Sequence, residues 1–462
     1  MNEQNLRYVK KYIIKIGLAI LFVALLQLVW AIEVGLAGTD RSAGNQPSQM
    51  IFCPALPPPT GNIIDLDTSQ AAQLDNIVAG AKAGDTISLA DGTYDLNGGY
   101  LRFAVPGVTL RSASGNREAV IIDGGYQTNE IVQVVASQVT IADLTLKRAY
   151  YHPVHVMSTD GKDTLGTKLY NLHIIDPGQQ AVKINPATAN HYTDEGELAC
   201  SHIELTDSGR PQIWAINGSC YTGGVDAHQA QDWVIRDNLI EGFWCDQGLS
   251  EHAIHFWRGG RDTIVERNIM KDNARGVGFG LGQDDGGRTY NDGFCSGSGY
   301  VGHYGGVIRN NFIFQGRPEL QASGAGFECG VCLAQACKTK VFHNSVVSTA
   351  APFSSIEWRF ANTDAEIVNN IASHNLMPRN GASAVLSGNL AGAPLSLFVD
   401  GAAGNLHLKP DALAAIDQGE PLPVGMSPHD IDGDLRAGPP DIGADELPIE
   451  LLFKNYLPYL GY

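Results

Sequence analysis

One unit recurs through the middle of this chain, and that recurrence constrains the fold more than any bulk property. Trp233-Val-Ile-Arg-Asp-Asn238-Leu-Ile is echoed thirty residues later by Thr263-Ile-Val-Glu-Arg-Asn268-Ile-Met. Segments ending in Asn311, Asn344 and Asn370 repeat the pattern, and Val139–Leu144, Lys168–Leu172 and Ser201–Leu205 extend it upstream. Aligned on one apolar position, the units begin at Ile141, Leu169, Ile203, Ile235, Val265, Ile308, Val341 and Ile367, 26 to 43 residues apart. A repeat of that length means stacked structural units rather than one ordinary globular core. Stacked coils bring equivalent residues into columns. Asn238, Asn268, Asn311, Asn344 and Asn370 are therefore expected to form a structural ladder, each amide satisfied by the coils above and below.

About ten residues before each Asn unit lies an alternating segment. Successive strand residues face opposite ways, so the expected inward pairs are Val154/Val156, Val182/Ile184, Val225/Ala227, Ile254/Phe256, Val277/Phe279, Val331/Leu333 and Ile356/Trp358. The outward centres are then His155, Lys183, Asp226, His255, Gly278, Cys332 and Glu357. A second outward column holds Met157, Asn185, His228, Trp257, Gly280, Ala334 and Arg359. The register around Asp226 is the weak point, because the insert before it carries its own apolar run, Ile213-Trp-Ala-Ile216.

Ser69–Ala83 has helical spacing with Ser69 as its cap, and is followed by AGDTISLADGTYDL and by GVTLRS at Gly107–Ser112. This order resembles the N-terminal cap of right-handed parallel β-helix proteins of the pectin-lyase-like superfamily. GVDAHQAQDWVIRDN, HAIHFWRGGRDTIVERN and IEWRFANTDAEIVNN are similar to a bacterial group of exported β-helix repeat proteins. His429-Asp-Ile-Asp-Gly-Asp-Leu-Arg436 and Asp441-Ile-Gly-Ala-Asp-Glu446 resemble the choice-of-anchor Q ending of secreted β-helix proteins, which implies export or surface attachment. The expected fold is a single all-β, right-handed parallel β-helix over 63–393 with a short N-terminal capping helix. An anchor-like region follows over 394–462.

Residues 1–37 read as a signal peptide or membrane anchor: Arg7, Lys10, Lys11 and Lys15 precede an apolar run from Ile16 to Ile32. Pro-rich 38–62 is a linker. The chain is thus expected at the surface of a bacterium or secreted from it, as a monomer, with membrane or cell-wall attachment as an option. Export makes the eight cysteines readable as disulfides. Cys200 with Cys220, and Cys245 with Cys295, each bracket an insert. Cys329, Cys332 and Cys337 crowd together, and zinc is the rival reading for that cluster.

A formal charge of −18 excludes nucleic acid as partner, since phosphate binding needs a basic face. An extended extracellular polysaccharide suits a ridged outer sheet face better. Elimination on a uronic acid needs a base for the α-proton and a cation against the carboxylate. Lys183 or His255 would be the base and Arg258 or Arg275 the cation, with Asp226 a further catalytic candidate. His228, Trp257 and Trp244 would contact sugar, with Tyr290 and Arg261 as further candidates. The rival class is a surface or adhesion protein that docks on the same face without cleaving. Hydrolysis would need paired carboxylates, for which Asp284-Asp285 is the candidate. Asp430, Asp432 and Asp434, at alternate positions, are candidate Ca²⁺ ligands.

Overall fold

The computed structural model describes residues 52–282, 286–436 and 438–448. The expected N-terminal signal or anchor segment, Asp284-Asp285 and the apolar C-terminal tail lie outside the described residues. Three long parallel sheets of fourteen, eleven and ten strands run the length of the molecule, each built from strands of successive coils. One coil illustrates the plan: Val234–Arg236 joins the fourteen-stranded sheet, Leu239–Glu241 the eleven-stranded one and Ile254–Trp257 the ten-stranded one. This is a parallel β-helix.

The inward columns of the ten-stranded sheet form the expected stacks. Val154, Val182, Val225, Ile254, Val277, Val331 and Ile356 are successive register partners, as are Val156, Ile184, Ala227, Phe256, Phe279, Leu333 and Trp358. All of them are buried. Burying each large apolar side chain contributes about 1.5–3 kcal/mol, so the solenoid is stabilised rung by rung rather than at one centre.

At the corner between the fourteen- and eleven-stranded sheets the chain turns within two residues. The first of the two adopts the left-handed region at Asp237, Arg267, Asn310, His343 and Asn369, with φ between 51° and 59°. Such a φ is costly for a residue with a Cβ. The second residue compensates, because its amide is fully engaged. Asn238 Nδ2 donates to Asn268 Oδ1 at 2.9 Å, and the pattern continues through Asn311, Asn344 and Asn370 to Asn389. Each Oδ1 also accepts the backbone N–H of the residue one coil earlier.

One unit of the expected alignment is displaced. Leu169 pairs with Leu198, and Leu198 with Ile235, while Ile203 lies in the eleven-stranded sheet between Ile174 and Ile240. This coil has no corner Asn, and its two successive strands, Glu197–Ala199 and His202–Glu204, both carry a central apolar residue. Ser201 holds the ladder position and donates its N–H to Asn238 Oδ1 at 2.9 Å.

The N-terminal cap is a 3₁₀ turn, Thr68–Gln73, running into the α-helix Leu74–Gly80, whose Leu74 and Val78 face the core. Its capping residue is Asp67 rather than Ser69: Asp67 Oδ1 accepts the Ser69 N–H at 2.8 Å, and the Gln70 side chain returns to the Asp67 N–H. Neither expected disulfide forms. The pairs are Cys53–Cys200, Cys220–Cys245, Cys295–Cys337 and Cys329–Cys332, with no cysteine left free, so no thiolate remains for zinc. Cys200 projects from an outer corner along which the incoming segment runs. Arg236 and Tyr170 hold that segment through the carbonyls of Phe52 and Pro54, and Arg111 through that of Pro57.

Downstream, Phe398, Leu406, Leu408, Ala415, Ile442 and Leu447 form a second core against Phe312, Phe314, Val347 and Ile371 of the solenoid. The HDIDGDLR and DIGADE motifs knit this region together. Arg436, nearly all buried, pairs with Glu446 at 2.9 Å and reaches Asn310 at 3.0 Å. Asp430 accepts the N–H groups of Asp434 and Glu446, and Asp441 those of Asp417 and Leu447. Asp432 turns instead to His407 at 3.0 Å. Among the described residues, the calcium candidates Asp430, Asp432 and Asp434 form no group whose ligand atoms all lie within 4.8 Å of one another, and Asp432 instead joins His407 and Asp445.

Candidate functional site on the ten-stranded sheet

The outer face of the ten-stranded sheet carries His155, Lys183, Asp226, His255, Gly278, Cys332 and Glu357 as consecutive register partners. The insert ahead of Asp226 folds as a separate helix, Arg210–Asn217. The strand then resumes at Gly223–His228, which leaves Asp226 in the row. Neighbouring strands lie about 4.8 Å apart, so unlike charges on adjacent coils meet directly.

They meet around Asp226. Lys183 Nζ forms an ion pair with Asp226 Oδ2 and lies 3.1 Å from His228 Nε2, itself 3.3 Å from the same oxygen. Trp257 donates its indole N–H to Asp226 Oδ1 at 2.8 Å. The Trp257 ring lies parallel to that of His255, centroids 5.3 Å apart, while His228 meets Trp257 edge-on at 4.6 Å. Burial alone would raise the Asp226 carboxyl. The Lys183 ammonium and the His228 ring outweigh it and hold the carboxyl well below its usual range. Burial lowers the His228 imidazole against the pull of Asp226, so the ring is neutral at pH 7.

Lys183, Asp226, His228, Trp257 and His255 therefore come together, but the centre of the group is covered. His255 is wholly buried, Asp226 is 2% exposed and Lys183 8%. His228, Trp257 and Asn185 are the half-buried rim. Lys183 and His255 are thus poorly placed to meet a polymer directly, because each is engaged with a partner beneath the surface. One coil earlier, His155 bridges Glu130 and Asn185 at 2.7 Å each.

The other candidates lie elsewhere or are engaged. Trp244 is buried beneath Arg210, whose guanidinium sits 4.0 Å from the ring centroid. The same Arg210 lines a cavity of about 280 Å³ together with Trp214 and Cys245. Arg275 pairs with Glu328, and Arg261 with Asp262 and Asp292. Tyr290 lies under Arg261 and Arg288. Arg258 occupies a left-handed turn, φ 58°, with its guanidinium 5.9 Å from the Trp257 ring centroid.

Two residues that the columns pass over, Glu251 and His252, adjoin this group. Glu251 Oε2 lies 3.4 Å from His255 Nδ1 and 3.9 Å from His252 Nδ1, and the His252 and His255 rings are 4.3 Å apart. In a continuous strand, positions three apart face opposite ways. These two meet because the strand begins only at Ile254, leaving His252 in the preceding bend. The run Glu251-His-Ala-Ile-His255 was the available signal.

No family model matches this chain, and no curated protein matches it. Among solved structures it is similar to the pectate lyase Pel9A, at 15% identity over 81% of this chain and 90% of that one, TM-score 0.48. An alginate lyase from Paenibacillus sp. str. FPU-7 gives 16% over 71% and 99%, TM-score 0.47. PfbA, a surface adhesin of Streptococcus pneumoniae, gives 11% over 70% and 86%, TM-score 0.38. The β-helix assignment rests on the strand register of this chain itself.

Proposed function

We propose that this protein is an exported β-helix that binds an acidic polysaccharide across the outer face of the ten-stranded sheet, and that the chemistry this face supports is β-elimination. The observation that carries the reading is a half-buried imidazole, His228, in the second outward column, set against the in-register Lys183–Asp226 pair. The base role falls to His228 rather than Lys183 or His255. Burial lowers its pKa, and in the tautomer whose Nε2–H is donated to Asp226 Oδ2 the Nδ1 lone pair would be the one that takes the proton. Asp226 would stabilise the imidazolium formed when the ring takes an α-proton. Export is supported by the basic and apolar N-terminal sequence and by four disulfides.

A docking role without cleavage is the second reading, favoured by the burial of Asp226 and His255. Uronate-containing polymers incubated with the full chain and with His228→Ala separate the two. Ultraviolet-absorbing unsaturated ends, lost in His228→Ala while binding persists, support elimination. Binding without product leaves the docking strip, and absence of binding to every such polymer overturns both.

A further inference from the structure

Four clusters among the described residues bring three potential metal ligands within 4.8 Å of one another. Three of them are accounted for by their own bonds. In the His173–His202–Glu204 group, His173 bonds Glu204 and Glu118 at 2.8 Å each, and His202 bonds Glu241 at 2.9 Å. His407 is held by Asn405 and Asp432. The sulfurs beside His252 are joined to each other as Cys329–Cys332.

The fourth differs. We propose that Glu251 Oε2, His252 Nδ1 and His255 Nδ1 bind a divalent transition cation of the zinc class. All three atoms are buried and none has a hydrogen-bond partner among the described residues. His252 is 3% exposed and His255 0%, so bulk solvent does not reach these rings. Three such atoms turned toward one another repel unless a proton or a cation lies between them.

The tautomers agree with this. His255 Nε2 lies 3.1 Å from the Gly280 carbonyl, which can only accept, so Nε2 carries the hydrogen and Nδ1 presents a lone pair. A ligating histidine commonly donates its far N–H to a backbone carbonyl in this way. A proton on His255 Nδ1 would bridge only the Glu251 contact and leave His252 Nδ1 unsatisfied, whereas one ion satisfies all three.

The spacing fits. Two ligands at about 2.0–2.1 Å from a tetrahedral ion stand about 3.3 Å apart, and Glu251 Oε2 and His255 Nδ1 stand at 3.4 Å. Two imidazoles with one carboxylate suit zinc and its neighbours, while Ca²⁺ and Mg²⁺ prefer oxygen sets. Space for the His252 ring is reserved by Gly278, where a Cβ would fall 2.6 Å from two ring atoms. The side chain of Glu251 is 25% exposed and marks the way in. Asp226 Oδ1, 3.8 Å from His255 Nδ1, is the nearest further oxygen.

The test uses the full chain stripped with chelator and titrated with Zn²⁺ by calorimetry, and with Co²⁺ for its visible spectrum. One equivalent should bind, with the Co²⁺ absorption of a low-coordinate nitrogen and oxygen site. His252→Ala and Glu251→Gln should each weaken Zn²⁺ by at least about tenfold. Gly278→Ala should weaken it as well, by displacing the His252 ring, while His202→Gln in the other histidine cluster leaves it unchanged. Melting of each metal-free variant checks that it folds, and the wild-type Co²⁺ spectrum decides the matter if a variant does not. Folded wild-type protein that takes up no Zn²⁺, affinity unchanged in both ligand variants, or Ca²⁺ competing as an equal would each overturn the proposal. None of these readings depends on glycan binding, so this site and the proposed function can fail separately.

Discussion

Two columns of polar side chains climb this solenoid at the same vertical spacing and are handled in opposite ways. At the corner, Asn238 to Asn389 repeats one residue type, and every amide both gives and receives. On the ten-stranded sheet, His155, Lys183, Asp226 and His255 differ at every step, and beside them three buried ligand atoms are left unpaired. Folding explains the first column completely. The second asks for buried charges that folding alone would not select. A region that leaves donors and acceptors unspent is where binding chemistry is to be sought.

The sharpest way to break this contrast is to remove Lys183. Lys183→Met strands the Asp226 carboxylate beneath Trp257 and should cost about 3–5 kcal/mol in denaturant unfolding. Adding Asp226→Leu should return most of that loss. If the double variant is as unstable as the single one, the pair is scaffold in the same sense as the ladder. Next comes Asn311→Ala in mid-ladder, which orphans the carbonyls of Val265 and Arg309 and the N–H of Asn268. It should cost about 2–4 kcal/mol, against about 1 kcal/mol for Asn389→Ala at the part-buried end of the column. Equal costs would mean that the ladder is not cooperative.

The smallest effect concerns acid. Burial, with the neighbouring His155 charge, lowers His152 on the ten-stranded sheet to about 4. The unfolded chain takes up this proton near pH 6.5, so the contribution is complete above that value and drains away as pH falls toward 4. His152→Gln should remove on the order of 2 kcal/mol of the loss between pH 7 and 4. The ladder variants should show the same cost at both pH values, because amides do not titrate. A pH-dependent Asn311→Ala would show that the two columns are coupled.

The repeat was legible because each rung carries its own mark, an apolar alternation followed by an Asn two residues past the strand. The register slips at one rung, Ile203 being read for Leu198, where Ser201 stands at the Asn position and a second apolar alternation follows it. The row His155, Lys183, Asp226, His255 was likewise legible, because period-two alternation assigns faces. Its burial was not. That Trp257 lies flat on His255 and bonds Asp226 depends on side-chain packing across coils. The disulfides were hidden for the same reason: Cys53 and Cys200 are 147 residues apart, and only the path of the incoming segment across the outer corners brings them together. Glu251 and His252 were missed because a bend, not a strand, aims them.

That strap also determines how the molecule carries load. The chain arriving at Phe52 is bolted to Cys200, several coils above the capping helix. Tension on the upstream chain enters the solenoid there, so the cap and first coils are bypassed instead of being unzipped from the end. A protease cutting between Cys53 and the strand at Ile63 would sever the backbone without releasing what lies upstream, and only a reductant added afterwards would let it go.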